Sequence, residues 1–394
     1  MKVPRLASIA TSDDFHLEPG IAYMNAASIS LMYRGAERAM LDWTMRLSAT
    51  GTRHFDEAVE EAVFDPLRRA AAELFNAAPE DIAVGSSATE LLASLAWAVL
   101  PGSDTNVVGA SIAFPSTVFP WARVARHTGA DLRLAPAADH YTDHDALLGL
   151  IDDRTAIICV SEVEFAGGQR YDIARLADAA HAHDALLIVD ATQSAGAVTI
   201  DVQASKADAV VSAGYKWLCG PFGAAVMYLA PQLHDQLEPG VVGFRSQHDM
   251  WNLEPGPLEL AATARRFEPS TMAYSCAIGL GESIRHLVSL SIDRIGEHNA
   301  GLANRLIEGL LERGCEVVTP VQAPERASIV SARFPDRSAQ TVADRLTEAG
   351  VIVSRRNDLV RWSVHLYNDE EDVDRVFDVL DTPGVGEGIH GRTA

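Results

Sequence analysis

Lysine is nearly missing from this chain: Lys2, Lys206 and Lys216 stand against twenty-nine arginines in 394 residues. Acidic residues outnumber basic ones by 54 to 32, and the formal net charge of -22 argues against the basic face that nucleic-acid binding requires. The four cysteines, Cys159, Cys219, Cys276 and Cys315, are widely spaced and form no CxxC pair, so neither a disulfide framework nor a cysteine metal site is expected. The pair His181 and His183 reads as a solvated helix end, not as metal ligands. No apolar run approaches the roughly eighteen residues that a membrane helix needs, and the N-terminus lacks a charged-then-apolar signal pattern. The expectation is a cytoplasmic protein with no metal, no membrane association and no nucleic-acid partner.

What is present is a large supply of core residues. The chain is 48% hydrophobic, and its length favours two domains or one large domain with a smaller partner. One stretch organises the rest: Asp208-Ala-Val-Val-Ser-Ala-Gly-Tyr-Lys216-Trp-Leu-Cys-Gly-Pro-Phe-Gly223. It begins as an apolar strand, breaks at Ala213-Gly214, and presents Lys216 between two aromatics. Burial lowers a lysine's pKa and turns its amine into a nucleophile and base. On its own the stretch fits equally well a lysine snorkelling at a strand end. Twenty-six residues earlier, however, the apolar run Leu186–Val189 ends on Asp190, with Gln193 three residues on. Carboxyl ends of strands in an open α/β sheet are where ligands bind.

Further signals lie on either side. Gly85-Ser86-Ser87-Ala88-Thr89 turns from a short strand into a helix, where free N–H groups and the helix dipole favour an anion; plain capping by a serine is the alternative. Strands at 107–113 and 156–160 alternate with helices at 91–100 and 174–183, and one long helix is expected over Glu57–Phe75. This alternation predicts an α/β fold: a mostly parallel sheet flanked by helices, followed by a smaller α+β domain. The predicted boundaries are a poorly ordered N-terminal arm over 1–20, a large domain over 21–270, a small domain over 271–383 and a disordered tail over 384–394.

Taken together, Asp190 with Lys216, the turn at Ala88 and Thr89, the segment Arg266-Phe-Glu-Pro-Ser-Thr271 and the strand Arg361-Trp-Ser-Val-His-Leu-Tyr-Asn368 resemble the class V aminotransferase family. These are fold type I enzymes dependent on pyridoxal 5'-phosphate (PLP), among them cysteine desulfurases, selenocysteine lyases, kynureninases and isopenicillin N epimerases. The resemblance implies that Lys216 carries PLP as a Schiff base and that Asp190 faces the pyridine nitrogen. It also implies that Gln193 reaches the phenolic oxygen and that Phe114 stacks on the ring. Ala88, Thr89, Ser212 and Tyr215 would hold the phosphate, with Thr271 reaching across a homodimer interface to the partner's site. Arg361 would grip the substrate α-carboxylate, with Asn25 and His54 nearby.

The departures are informative. Phe114 stands where desulfurases have a histidine, Ala213 and Tyr215 where relatives have serine and histidine, and Ser270 where they have glycine. The connection Arg356-Asn357-Asp358 is too short for the loop that carries a desulfurase's nucleophilic cysteine. The expected reaction is therefore carbon–sulfur β-elimination from a cysteine S-conjugate in a biosynthetic pathway. Transamination and epimerisation are the alternatives, and a catalytically idle regulatory protein is the outlying one.

Overall fold

The computed structural model describes residues 5–382. Its larger sheet has seven strands: β1 (Ile82–Gly85), β2 (Asn106–Ala110), β3 (Asp131–Ala135), β4 (Thr155–Ser161), β5 (Leu186–Asp190), β6 (Ala209–Ala213) and β7 (Ala225–Leu229). Their order is β1-β7-β6-β5-β4-β2-β3. β2 to β6 pair in parallel, and β7 alone runs antiparallel to both of its neighbours. Continuous apolar runs such as Val107-Val108 and Leu187-Ile188-Val189 suit strands covered by helices on both faces.

The register decides where chemistry is possible. Ser161 lies beside Asp190, Asp190 beside Val211, and Gly85 faces Ala225, which in turn faces Ala213. The ends of β1, β4, β5 and β6 therefore share one edge. Onto this edge open helices α1 (Ala88–Val99) and α2 (Pro115–Thr128).

The second core is built on a four-stranded antiparallel sheet of β8 (Glu316–Val317), β9 (Ile329–Arg333), β10 (Ser354–Arg356) and β11 (Leu359–Ser363), in the order β8-β9-β11-β10. Leu302, Leu306, Leu346, Trp362 and Val376 fill it. Packing does not follow a cut at residues 21 and 271. Ala22 and Met24 lie in this smaller core, with Ala22–Tyr23 paired in parallel to Val351–Ile352. The helix Tyr274–Ser289 instead buries Tyr274, Ala277, Leu280 and Ile284 in the larger core.

Two expectations need correction. Residues 5–20 are anchored: Phe15 is buried against Tyr367, and the N–H groups of Ile9 and Ala10 both donate to the Leu366 carbonyl. The long helix over 57–75 is two helices, Glu57–Ala62 and Asp65–Phe75, with Pro66 fitting the first turn of the second, where no N–H bond is lost. Lys2 and the tail at 384–394 lie outside the described residues.

Candidate active site

Asp190 closes β5 and is 5% exposed. Its Oδ1 accepts from the Thr192 N–H at 2.9 Å, and its Oδ2 from the Thr117 hydroxyl on α2 at 2.9 Å. The carboxylate is thus fixed at a strand end with acceptor capacity left over, since an ionised carboxylate offers about four lone-pair sites. Gln193, on the following turn, donates from Nε2 to the Ala27 carbonyl at 3.0 Å and accepts at Oε1 from the Trp217 indole at 2.8 Å. These bonds set the amide orientation and leave one Nε2–H for the pocket.

Lys216 follows β6 on a loop closed by two backbone bonds, Cys219 N–H to the Lys216 carbonyl and Gly220 N–H to the Gly214 carbonyl, both 2.8 Å. Gly214 is needed there: an added Cβ would lie 2.9 Å from Leu280 and 3.0 Å from the Ala224 carbonyl oxygen. The lysine is 7% exposed, with Nζ 5.3 Å from the Phe114 ring centroid and 5.7 Å from that of Tyr215. Burial lowers its pKa to about 8; Asp190 opposes the shift, while Arg361 and Arg356 add to it. The next residue, Trp217, ties the loop to both cores. Its indole reaches Gln193, and its carbonyl accepts from Nε2 of His365, which leads out of β11, at 3.0 Å. Burial lowers the pKa of His365 to about 3, so the ring is neutral; with Nε2 donating, Nδ1 accepts from Asn299.

At the start of α1, Ser87 caps the helix by accepting from the Glu90 N–H at 3.1 Å. Capping and an anion cradle coexist, because the Ala88 and Thr89 N–H groups have no acceptor among the described residues. The Thr89 and Ser116 hydroxyls are 2.8 Å apart at the same place. One pocket is lined by Ser87, Ala88, Thr89, Phe114, Ser161 and Asp190, and by Gln193, Tyr215 and Lys216. Phe114 stands edge-on to Phe165, which also lines the pocket, and Tyr215 stacks on Phe222.

Arg361 is fully buried on β11, yet pairs with no carboxylate among the described residues. Its Nε donates to Ser354 Oγ at 3.1 Å, Nη1 to the Phe165 carbonyl at 2.5 Å and Nη2 to Ser28 Oγ at 2.7 Å. Three neutral acceptors hold the guanidinium while one N–H on each Nη stays free, a fork matched to a carboxylate. Burial and the neighbouring Arg356 charge lower its pKa to about 9, the sign of a cation without a counter-ion.

Four expected site residues stand apart from this group. Ser212 is buried and turned toward the Ala213 carbonyl, because successive side chains on β6 face opposite sides of the sheet. His54, at the end of a short turn, and Thr271, exposed, lie outside the residues lining the pocket. Asn25 bridges by its backbone to Ser363, and its Oδ1 is buried without a partner. Conversely, Ser116 lines the pocket, and Thr117, Ser28 and Ser354 stand behind it as hydrogen-bond partners of Asp190 and Arg361, without having been expected. Thr117 lies three residues beyond Phe114, on the same helix face, and Ser28 closes the Asn25–Ser28 turn.

The residues present suit a phosphorylated pyridine aldehyde: free helix N–H groups at one end, a fixed carboxylate at the other, an aromatic face between, and a lysine of lowered pKa. Comparison with known proteins agrees. The family described as "Aminotransferase class-V" matches residues 23–376. A probable cysteine desulfurase of Pyrococcus abyssi is 27% identical over 390 residues, covering 93% of this chain and 95% of the relative. A kynureninase of Deinococcus radiodurans is 29% identical over 399 residues, covering 94% and 93%. Among solved structures, the cystine C–S lyase C-DES in complex with cysteine persulfide has a TM-score of 0.84 at 20% identity, covering 92% of this chain and 98% of that one. A second C-DES structure, with glycine covalently linked to the PLP cofactor, has a TM-score of 0.86, also at 20% identity, covering 95% and 100%. The chain belongs to the class V aminotransferase family, and its cofactor is pyridoxal 5'-phosphate.

Proposed function

We propose that the protein is a carbon–sulfur β-lyase acting on a cysteine S-conjugate, with Lys216 as its cofactor-bearing lysine and base. The observation that carries the reading is the pocket lining: Lys216 faces it, and no cysteine does. Cys159, Cys219 and Cys315 are buried, Cys276 is half-buried on the helix Tyr274–Ser289, and the β10–β11 connection is the tight turn at Asn357 and Asp358. A desulfurase needs a thiol to accept sulfur, whereas elimination of a thiolate needs only a base. On this reading the reaction differs from the one in the name of the Pyrococcus abyssi relative.

Bound PLP supplies an electron sink for the charge left at the substrate's Cα. Asp190 keeps the ring nitrogen protonated, with Thr117 and the Thr192 N–H holding it in place. The Arg361 fork would hold the α-carboxylate, leaving Lys216 as the base for the Cα proton. The neutral amine of Lys216 takes that proton, and the thiolate leaves Cβ. Thr89, Tyr215 and the N–H groups of Ala88 and Thr89 hold the phosphate. The active unit is a homodimer in which Thr271, exposed on its own chain, completes the partner's phosphate site.

The test is incubation of purified, PLP-loaded protein with cysteine S-conjugates and common amino acids. Thiol, pyruvate and ammonia released in equal amounts are the expected products, the last two from hydrolysis of the enamine left when the thiolate departs. A keto acid left with the cofactor in its pyridoxamine form would make the protein an aminotransferase. A racemised substrate would make it an epimerase, and alanine with protein-bound persulfide would make it a desulfurase.

A further inference from the structure

Arg361 has a second guanidinium beside it. Arg356, at the end of β10, is half-buried and donates from Nη2 to Ser28 Oγ at 3.0 Å, the same oxygen that Arg361 Nη2 reaches at 2.7 Å. Its other bond runs from Nη1 to the Arg355 carbonyl at 2.8 Å. With both Ser28 lone pairs occupied by cationic donors, the hydroxyl proton is left to donate. Arg356 keeps Nε–H and one N–H on each Nη, and it pairs with no carboxylate among the described residues.

The nearest acid on the hairpin is unavailable. Asp358 is bound by Arg333 at 2.5 Å, and the same guanidinium also holds Asp139 and Glu316. The Arg356 charge is felt in the pocket, where it adds to the lowering of both Lys216 and Arg361. A single α-carboxylate takes up the Arg361 fork. The Ser28 proton and the free donors of Arg356 then remain, together with one unbalanced positive charge.

We propose that this second set of donors reads an anionic group on the substrate side chain: Arg361 takes the α-carboxylate, and Arg356 with Ser28 takes a carboxylate on the sulfur substituent. The inference rests on the lyase reading for the sulfur, but the charge preference itself is a matter of binding. It names a substrate class, S-(carboxyalkyl)cysteine conjugates, and makes Arg356 a specificity-determining residue.

The experiment compares S-(2-carboxyethyl)-L-cysteine with its amide, S-(2-carbamoylethyl)-L-cysteine, which has nearly the same shape and no charge. Dissociation constants are read from the visible absorbance of the PLP-loaded protein, and turnover from released thiol. The acid should bind about tenfold more tightly or better, as expected for a hydrogen-bonded charge pair, and the preference should shrink as salt is raised. Arg356→Gln should bring the acid-to-amide ratio close to one, whereas Arg356→Lys should retain part of it. Equal affinities in the wild-type protein would overturn the proposal. So would an Arg356→Gln protein that loses acid and amide by the same factor, because Arg356 would then serve the α-carboxylate or the hairpin alone. Binding of both compounds without thiol release would instead refute the lyase reading while leaving the ratio measurable. No absorbance change with either compound would overturn both.

Discussion

Lys216 should weaken the fold it sits in. Its amine has an ordinary pKa of 10.5, and burial brings it to about 8 in the folded protein. Each unit is about 1.36 kcal/mol, so holding the lysine in place costs the cofactor-free protein about 3 kcal/mol at neutral pH. The sign follows from proton counting. Between about pH 8 and 10.5 the unfolded chain holds a proton on this amine and the folded chain does not, so stability rises with pH across that window. Below it the cost is complete, and above it the cost is gone. Lys216→Met keeps the length of the side chain and removes the charge. Urea unfolding of the cofactor-free proteins should show the variant more stable by about 3 kcal/mol at pH 7, with the gain fading toward pH 10.5. Packing differences between lysine and methionine shift both ends equally, so the pH-dependent part isolates the charge. A gain that stays constant with pH, or its absence, would mean that Lys216 is solvated and that its lowered pKa does not exist.

Other outcomes follow from the same geometry. Arg361→Lys keeps the charge but cannot bond Ser354, the Phe165 carbonyl, Ser28 and a carboxylate fork together; substrate affinity should fall about tenfold or more, with the cofactor's own absorbance unchanged in a titration. Asp190→Asn removes the charge that opposes the lowering of Lys216, so the pH profile of PLP uptake should move to lower pH, which stopped-flow absorbance would read. Thr271→Ala should speed PLP loss on gel filtration while leaving the melting temperature of the cofactor-free protein within a few degrees. Sedimentation equilibrium should return a dimer, and a fully active monomer would remove Thr271 from the site.

The legible parts of the site were those where a costly residue type closes an apolar run. Asp190, Lys216 and Arg361 each end or interrupt a hydrophobic stretch, and burying such a group demands a reason that local sequence already displays. Thr117, Ser28 and Ser354 left no such mark, because a hydroxyl is cheap anywhere and only tertiary contact gives these three their roles. The choice of Ser212 was off by one residue, and on a strand a shift of one exchanges the two faces. The sheet itself was readable from the alternation of apolar runs with helices. The break at Val63 and Phe64 was not, since the apolar spacing continues through it. The seating of residues 5–20 was not readable either, because Phe15 and the N–H groups of Ile9 and Ala10 find Tyr367 and Leu366 more than 350 positions away in sequence.

The tie between Trp217 and His365 has a consequence for how the two cores can move. The residue next to the base is held by the smaller core through a neutral imidazole, a bond that persists at any physiological pH. The Arg361 guanidinium, proposed to hold the substrate carboxylate, lies four residues before that imidazole, in the middle of β11, the strand that leads to His365. Lysine and arginine therefore travel as one part, and opening the cleft cannot change the distance between proton acceptor and carboxylate anchor without breaking this bond. Asp190 is held to the same unit, because β5 and β6 are paired side by side and the Trp217 indole holds Gln193. A single residue, Trp217, thus couples the strand end at Asp190 to the strand that carries Arg361, and loss of its two contacts would loosen both sides of the pocket at once.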